Sequence, residues 1–303
     1  MNPGVPAMTA GRTSVIVVAA DSGVGLVDCI GDVLASTADV EVLVSDNASS
    51  DGSIAALEAR YGSDPRLKIL RNHSNLGFGP GANRAAAVAL GDAFFLLNPD
   101  CRIAPHVITH LRDLATSVPT LGILGPRIVD ASGKVETATR RHDPTFKRAI
   151  ATLTGRDAAG QGISMPPRKP EQASEEPVDA VSGAAMWLPR HAYEMLHGFD
   201  ETYFLHCEDL DLCRRARDNG LAVIYVDAVE VVHAKGGSSR HRPVFVAWHK
   251  HRGMWRWFRQ HDPAARNPFI ASLVAVGLCA HFIATLPLRW FSGMKARQQK
   301  AAV

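Results

Sequence analysis

Several features that would assign this chain to a class at once are missing from it. Its 303 residues carry five cysteines, Cys29, Cys101, Cys207, Cys213 and Cys279, which are scattered, odd in number and without a Cys-x-x-Cys spacing. That argues against a disulfide framework or a zinc site and fits reduced thiols in a cytosolic protein. Excess charge is missing too: a net charge of +3 is too small to point to a nucleic-acid partner. Met1 to Arg12 has no charged stretch leading into an apolar one, so no secretory signal is expected, and residues 1–12 read as a disordered terminus. After the first apolar run, Gly23-Val24-Gly25 is a poor glycine-rich phosphate loop, which speaks against a nucleotidyltransferase. What remains is an ordinary globular composition, 46% hydrophobic and 21% charged, in a chain long enough to bury a substantial core.

Strand and helix signals alternate through the first hundred residues. Ser14–Ala20, Val40–Val44, Leu67–Leu70 and Phe94–Leu97 are short β-branched or aromatic runs. Between them, Leu26, Ile30, Val33 and Leu34 recur at helical spacing, Asp51-Gly52-Ser53 opens a second helix, and Gly81–Leu90 is an alanine-rich third. This order predicts an α/β fold with a mostly parallel central sheet flanked by helices. Ligands bind such sheets at the carboxyl ends of the strands, and polar clusters fall there: Asp21-Ser22, Ser45-Asp46-Asn47, Asn72 to Asn75, and Asn98-Pro99-Asp100. Residues 155–177, rich in Pro, Gly, Ser and charge, read as a mobile loop long enough to act as a lid. Val178–Leu188 resumes strand character, and Ala222–Val226 and Val229–Val232 read as two further strands.

Residues 204–213 hold three carboxylates within four positions, followed by Arg214, Arg215 and Arg217. Acids first and arginines last suit a helix macrodipole, so a helix should begin near Glu208. A carboxylate on its first turn can take a proton from a hydroxyl nucleophile, although the plain reading is a well-formed helix start. The tail differs in character. Pro243–His261 is aromatic and basic on one face, and Phe269–Leu288 is about 20 residues without a formal charge, interrupted by Gly277, His281 and Pro287. Attachment to a membrane surface, a span and a helix packed on the protein's own body are all open for it.

Taken together, the motifs have a familiar order. Val44-Ser45-Asp46-Asn47, Asn75-Leu76-Gly77-Phe78, Asn98-Pro99-Asp100, Val181-Ser182-Gly183-Ala184, Gly198-Phe199-Asp200-Glu201, Glu208-Asp209-Leu210-Asp211 and Val231-Val232-His233 resemble the inverting GT-A glycosyltransferases of family 2. Within that family the pattern looks like bacterial rhamnosyltransferases of cell-surface polysaccharide synthesis.

The resemblance implies a Rossmann-like GT-A domain over 13–240, with 13–130 holding the nucleotide and 131–240 the acceptor and the catalytic groups. A helical, membrane-associating tail is expected over 241–303. Asp46 matches the carboxylate that accepts from the pyrimidine; an Asx-turn is its plain alternative. Asp21, Asn47, Asn75, Gly77, Asn83 and Asn98 are implied near the nucleotide. Asp100 is the surviving carboxylate of an Asp-x-Asp signature whose first place is Asn98, and His233 is the second ligand, for Mg²⁺ or Mn²⁺. Asp209 is implied as general base, with Glu208 orienting the acceptor and Asp211 on the helix surface. Gly183 and Trp187 are implied at the acceptor, with core packing the alternative for Trp187. One departure is Ala19-Ala20-Asp21, where the family has an aromatic or polar stretch, which leaves base preference open.

The expected reaction is inverting transfer of a sugar from a nucleotide-diphosphate donor to a hydroxyl of a lipid-linked glycan or polysaccharide. L-Rhamnose from dTDP-L-rhamnose is the implied donor, with UDP-hexoses the alternative. A catalytically inactive nucleotide-sugar-binding scaffold is the reading from a different class. The expected location is cytoplasmic, peripheral on the inner face of the membrane.

Overall fold

The computed structural model describes residues 9–156, 160–165, 174–234 and 242–301, with side chains to Arg289. The first strand, β1 (Thr9–Ala19), starts inside the stretch expected to be disordered. The Thr9 N–H donates to the Leu90 carbonyl, and the Gly11 N–H to Asp92 Oδ2, which draws residues 9–12 onto the sheet. Then follow α1 (Gly25–Leu34), β2 (Val40–Asp46), α2 (Ser53–Tyr61), β3 (Leu67–Arg71), α3 (Phe78–Ala86), β4 (Gly91–Leu97), β5 (Cys101–Ile103), α4 (Val107–Thr116) and β6 (Leu121–Val129). The second half holds β7 (Arg140–Arg141), α5 (Phe146–Leu153), β8 (Glu175–Pro177), β9 (Ala180–Val181), β10 (Ala185–Pro189), α6 (Arg190–Met195), α7 (Glu208–Asp218) and β11 (Ala222–His233). The tail is α8 (Pro243–His261), a 3₁₀ turn over Pro263–Arg266 and α9 (Pro268–Ala301).

The main sheet runs β3-β2-β1-β4-β10-β6-β11-β5, with β8 also paired to β11. β1 to β4 are parallel; β10 is antiparallel to both β4 and β6, and β6 is parallel to β11. Two reversals therefore return β11 to the direction of β1. The carboxyl ends of β1, β2, β3, β4 and β11 and the amino end of β10 all lie on one edge.

Period-two alternation sorts the strands' side chains onto two faces. Val15, Val17, Val42, Val44, Phe95 and Trp187 pack with Leu26, Ile30 and Val33 of α1, Leu57 of α2 and Leu111 of α4. Ile16, Val18, Leu43, Phe94, Leu96 and Met186 pack with Ala82 and Ala85 of α3, Tyr193 of α6, Leu212 of α7 and Trp257 of α8. Each fully buried Leu, Ile, Val or Phe contributes roughly 1.5–3 kcal/mol, so these two layers fix the sheet that presents the edge.

Several boundaries differ from the sequence reading, each for a local reason. Val178–Leu188 is two strands, because the Ser182-Gly183-Ala184 segment between β9 and β10 turns its backbone toward other loops. Residues 222–233 are one strand rather than two, with an irregularity between Val226 and Glu230 absorbing the charged step at Asp227. Of the stretch read as a mobile loop, residues 157–159 and 166–173 lie outside the described residues, while Glu175–Pro177 pairs with β11.

Candidate active site

The polar residues after β1, β2 and β3 form one hydrogen-bonded frame. Asp46 is 5% exposed, and one of its carboxylate oxygens accepts the Ser49 N–H at 2.9 Å. Ala48, in the same turn, has φ of 57°. The Asx-turn is thus present at Asp46. Asp21 Oδ1 accepts the Ser50 N–H at 2.7 Å and ties the first loop to the second. Asn47 donates to Asn75 Oδ1 and to the Gly77 carbonyl, and accepts from the Asn72 amide at 2.8 Å. Asn75 Oδ1 also accepts the Gly77 N–H.

Two residues expected at the nucleotide serve other purposes. Gly77, at φ 94°, is where a Cβ would lie 2.5 Å from the Phe204 carbonyl oxygen, so its bareness admits the 202–207 loop. Asn83 accepts from the Phe199 N–H and the Tyr193 hydroxyl and donates to the Phe199 carbonyl and Glu201. That saturates its amide with the 198–201 turn. Trp187 also moves: period two turns it to the α1 face, opposite α7, where it is 4% exposed in the core. It is not a surface for an acceptor sugar.

The charged groups gather further along the same edge. Asp209, on the first turn of α7, accepts the Gly183 N–H at 3.0 Å and the Leu210 N–H at 2.8 Å. Arg141 Nη2 lies 2.5 Å from its Oδ2. A Cβ on Gly183 would lie 3.1 Å from that of Asp209, so the glycine lets the carboxylate sit against the backbone. Burial works against ionising Asp209, but the Arg141 charge and the two N–H groups outweigh it and hold its pKa low. The same pair raises the pKa of Arg141 despite burial. Glu208 is 8% exposed, and its Oε2 is buried without a hydrogen-bond partner among the described residues. Burial, and then the neighbouring Asp209 charge, push its pKa well up.

One residue further, the Ala184 carbonyl accepts the Asn98 N–H at 2.9 Å. Ser182-Gly183-Ala184 therefore joins Asp209 directly to the Asn98-Pro99-Asp100 loop. There Asp100 Oδ1 lies 3.1 Å from His233 Nε2, and Glu136 Oε1 lies 3.2 Å from His233 Nδ1. Burial opposes charging His233, yet the two carboxylates together raise its pKa.

Asp100, Cys101 and His233 offer atoms within 4.8 Å of one another. A carboxylate oxygen and an imidazole nitrogen suit Mg²⁺ or Mn²⁺, and Glu136 on Nδ1 would fix the ring with Nε2 toward the ion. Cys101 does not suit them: its thiol is buried, bonded to the Ala184 carbonyl and raised well above its ordinary pKa.

A family model, glycosyl transferase family 2, matches residues 14–186. The chain belongs to that family. Over 246 residues it is 32% identical to the N-acetylglucosaminyl-diphospho-decaprenol L-rhamnosyltransferase of Mycobacterium tuberculosis strain H37Rv, covering 74% of this chain and 79% of that one. Among solved structures, a Pyrobaculum calidifontis mannosyltransferase in complex with GDP-Man and Mn²⁺ superposes with a TM-score of 0.59 at 17% identity, covering 96% of this chain and 75% of that one. GalNAc-T7 with UDP, GalNAc and Mn²⁺ gives a TM-score of 0.61 at 15% identity, covering 81% of this chain and 47% of that one. These structural likenesses show the fold. This family 2 glycosyltransferase thus has the GT-A architecture expected of it.

Three participants in its site escaped the sequence reading. Arg141 sits in the charge run Arg140-Arg141-His142-Asp143, which could have flagged it; Glu136 stands in a turn with no motif around it. Asp211, read as a helix-surface residue, is fully buried, accepting from Arg215 Nε at 2.8 Å and pairing with His261 Nε2 of α8 at 2.7 Å. Helical periodicity points Asp211 inward, but only the position of α8 supplies the reason for a charge there.

Proposed function

We propose that the protein is an inverting glycosyltransferase that moves L-rhamnose from dTDP-L-rhamnose to a hydroxyl of a lipid-linked glycan, with UDP-hexoses the alternative donors. The observation that carries this reading is the Gly183–Ala184 backbone. It holds the Asp209 carboxylate on one side and the Asn98–Asp100 loop on the other, so a proton acceptor and a diphosphate-binding group share one short segment. The mycobacterial relative, named for an L-rhamnosyl transfer to a diphospho-decaprenol acceptor, supports the choice of sugar and acceptor.

In this reading Asp46 and the Asn47–Asn75 frame receive the base and ribose. Asp100 and His233 would hold the divalent ion, which supplies positive charge where the leaving diphosphate becomes more negative. Asp209 takes the acceptor proton as the hydroxyl attacks the anomeric carbon from the face opposite the diphosphate; a single displacement inverts that carbon. Arg141 keeps Asp209 ionised and aimed.

A second assignment is favoured by one observation: Glu208 Oε2 has no hydrogen-bond partner among the described residues, while Asp209 is already bonded to three donors. There Glu208 takes the proton and Asp209 with Arg141 positions it. The test is to offer dTDP-L-rhamnose or UDP-hexoses, with metal and then with chelator, to an N-acetylglucosaminyl diphospholipid. Anomeric configuration is read by NMR. Retention, or no transfer from any donor by a folded sample that binds nucleotide, sinks the reading. The proposed location is the cytoplasmic face of the membrane, where both donor and lipid are accessible.

A further inference from the structure

The net charge of +3 hides a division along the chain. From Pro243 to the C-terminus the sequence has nine Lys and Arg and a single acid, Asp262, so the 242 residues before it carry 24 basic and 29 acidic side chains. The basic part is also the apolar one. Residues Pro268–Arg289 of α9 have a mean hydropathy of 2.2, with 6% of the apolar window buried, long and apolar enough to cross a membrane by length and composition.

Contacts along α8 decide how that helix can meet lipid. Ala271 and Val274 join Phe258 in one apolar cluster, His281 Nδ1 lies 2.9 Å from His251 Nε2, and the Phe282 ring meets Trp248 edge-on at 5.7 Å. Residue numbers rise along α9 as they fall along α8, so the two helices run antiparallel, side by side. α8 in turn is fixed to the body of the protein: Trp257 is fully buried in the core, Arg256 pairs with Asp200 at 2.9 Å and His261 with Asp211 at 2.7 Å. A span needs about 20 residues surrounded by hydrocarbon. Here the stretch from Ala271 to Phe282, the middle of the apolar segment, lies against a helix docked on the protein, so α9 cannot cross a bilayer while these contacts hold.

What α9 leaves free is one apolar ridge. Phe269, Leu273, Val276 and Ile283, at spacings of four, three and seven, fall on the side opposite Ala271, Val274 and Phe282 and are 60–85% exposed. Trp248, which flanks α9 at Phe282, is 54% exposed, and tryptophan favours the membrane–water interface. We infer that α9 lies in the plane of an anionic bilayer surface, held on α8, with the Phe269–Leu273–Val276–Ile283 ridge inserted and the chain on one side of the membrane throughout. This rests on the membrane location proposed above and gives it a mode and an orientation. The cationic tail suits lipid phosphates, whereas a second copy on the same ridge would bring like charge against like.

The experiment uses neither nucleotide nor sugar, so it fails separately from the proposed reaction. Full-length protein is sedimented with vesicles of phosphatidylcholine, alone or mixed with phosphatidylglycerol. Binding should be stronger with phosphatidylglycerol. It should be about a hundredfold weaker or more in a Val276→Glu/Ile283→Glu variant, which loses the burial of two apolar side chains. Both positions face outward, so the variant should melt in solution at the temperature of the wild type. Orientation is read with Val303→Cys in a Cys279→Ser background, the other four cysteines being buried. On sealed membrane vesicles a membrane-impermeant maleimide should label that cysteine from the side on which protease reaches the sheet domain. Labelling from the opposite side alone would show a span and overturn the inference. So would vesicle binding that survives the ridge substitutions, or equal binding to phosphatidylcholine alone. Self-association in lipid-free solution that the ridge substitutions abolish would assign the face to a second copy and overturn it too.

Discussion

Two polar clusters share one edge of this sheet and are built on opposite rules. Around Asp21, Asp46, Asn47, Asn72 and Asn75, backbone groups, amides, hydroxyls and two carboxylates bond mainly to one another, within one stretch of chain. Around Arg141 and Asp209, and around Asp100, His233 and Glu136, ionisable groups from distant segments are held 2.5–3.2 Å apart, with Glu208 buried beside Asp209. The first arrangement satisfies its members and fixes the shape of a binding surface. The second keeps charges close together in a partly buried site, where electrostatic interactions are strong and protonation is readily displaced. Removing a member of the first should therefore cost stability, and removing a member of the second should cost turnover.

The sharpest break in that comparison is Asp209→Asn. With Asp209 as base, kcat should fall by about 10²–10⁴-fold, the range for a positioned base. Calorimetry should find nucleotide affinity unchanged. If instead Glu208→Gln gives the larger loss and Asp209→Asn the smaller, the roles are exchanged.

Asp211 crosses the division, being charged yet fully paired between α7 and α8. Asp211→Ala leaves Arg215 and His261 facing a buried gap, and breaking such a pair costs about 3–5 kcal/mol. Chemical denaturation should show it. A loss well under 1 kcal/mol would mean that α8 does not brace α7.

Glu136→Gln acts at one remove, on the ring of His233. Replacing a partner of this kind costs about 10–100-fold in metal affinity, measurable by Mn²⁺ titration without substrate. Smaller still, Asn47→Ala takes one bond from the Asn72 amide, which keeps Ser45 Oγ, and one from the Gly77 carbonyl, which keeps the Gly81 N–H, at about 0.5–1.5 kcal/mol per bond. Its effect on kcat should be slight if the first cluster is only a frame.

The same division governs what could be read from the sequence. Sheet, helices and strand-end clusters were legible because they follow local periodicities, and the Glu208 helix start followed from charge order alone. Three misreadings have one physical source. Trp187 faces the wrong side because the Ser182–Ala184 turn resets which residues of β10 alternate inward. Asn83 serves a turn 116 residues away, and Asp211 is buried by a helix beginning 32 residues later. Arg141 and Glu136 reach the site through contacts of 68 and 97 residues' separation, for which no local pattern exists. What a residue touches across the fold is decided by topology, and composition at one position does not carry it.

The smallest effect tests the electrostatics of the second cluster without any substrate. Burial and the Asp209 charge raise the pKa of Glu208 above its ordinary 4.5. The folded state then holds that proton more tightly than the unfolded chain. Glu208 is therefore least costly below pH 4.5 and costs increasing stability as pH rises toward its folded pKa. Glu208→Gln cannot titrate, so its melting temperature should gain on that of the wild type as pH increases from 4.5. Asp209 runs the other way. Burial alone would raise its pKa, but Arg141 and the Gly183 N–H hold it below 3.8. Its stabilisation is present above that value and is lost as pH falls through the folded pKa. The deficit of Asp209→Asn should accordingly be largest at neutral pH and shrink in acid. Melting curves for the two variants that move in parallel with pH, rather than in opposition, would mean that the two carboxylates share one environment and that the division of roles between them is wrong.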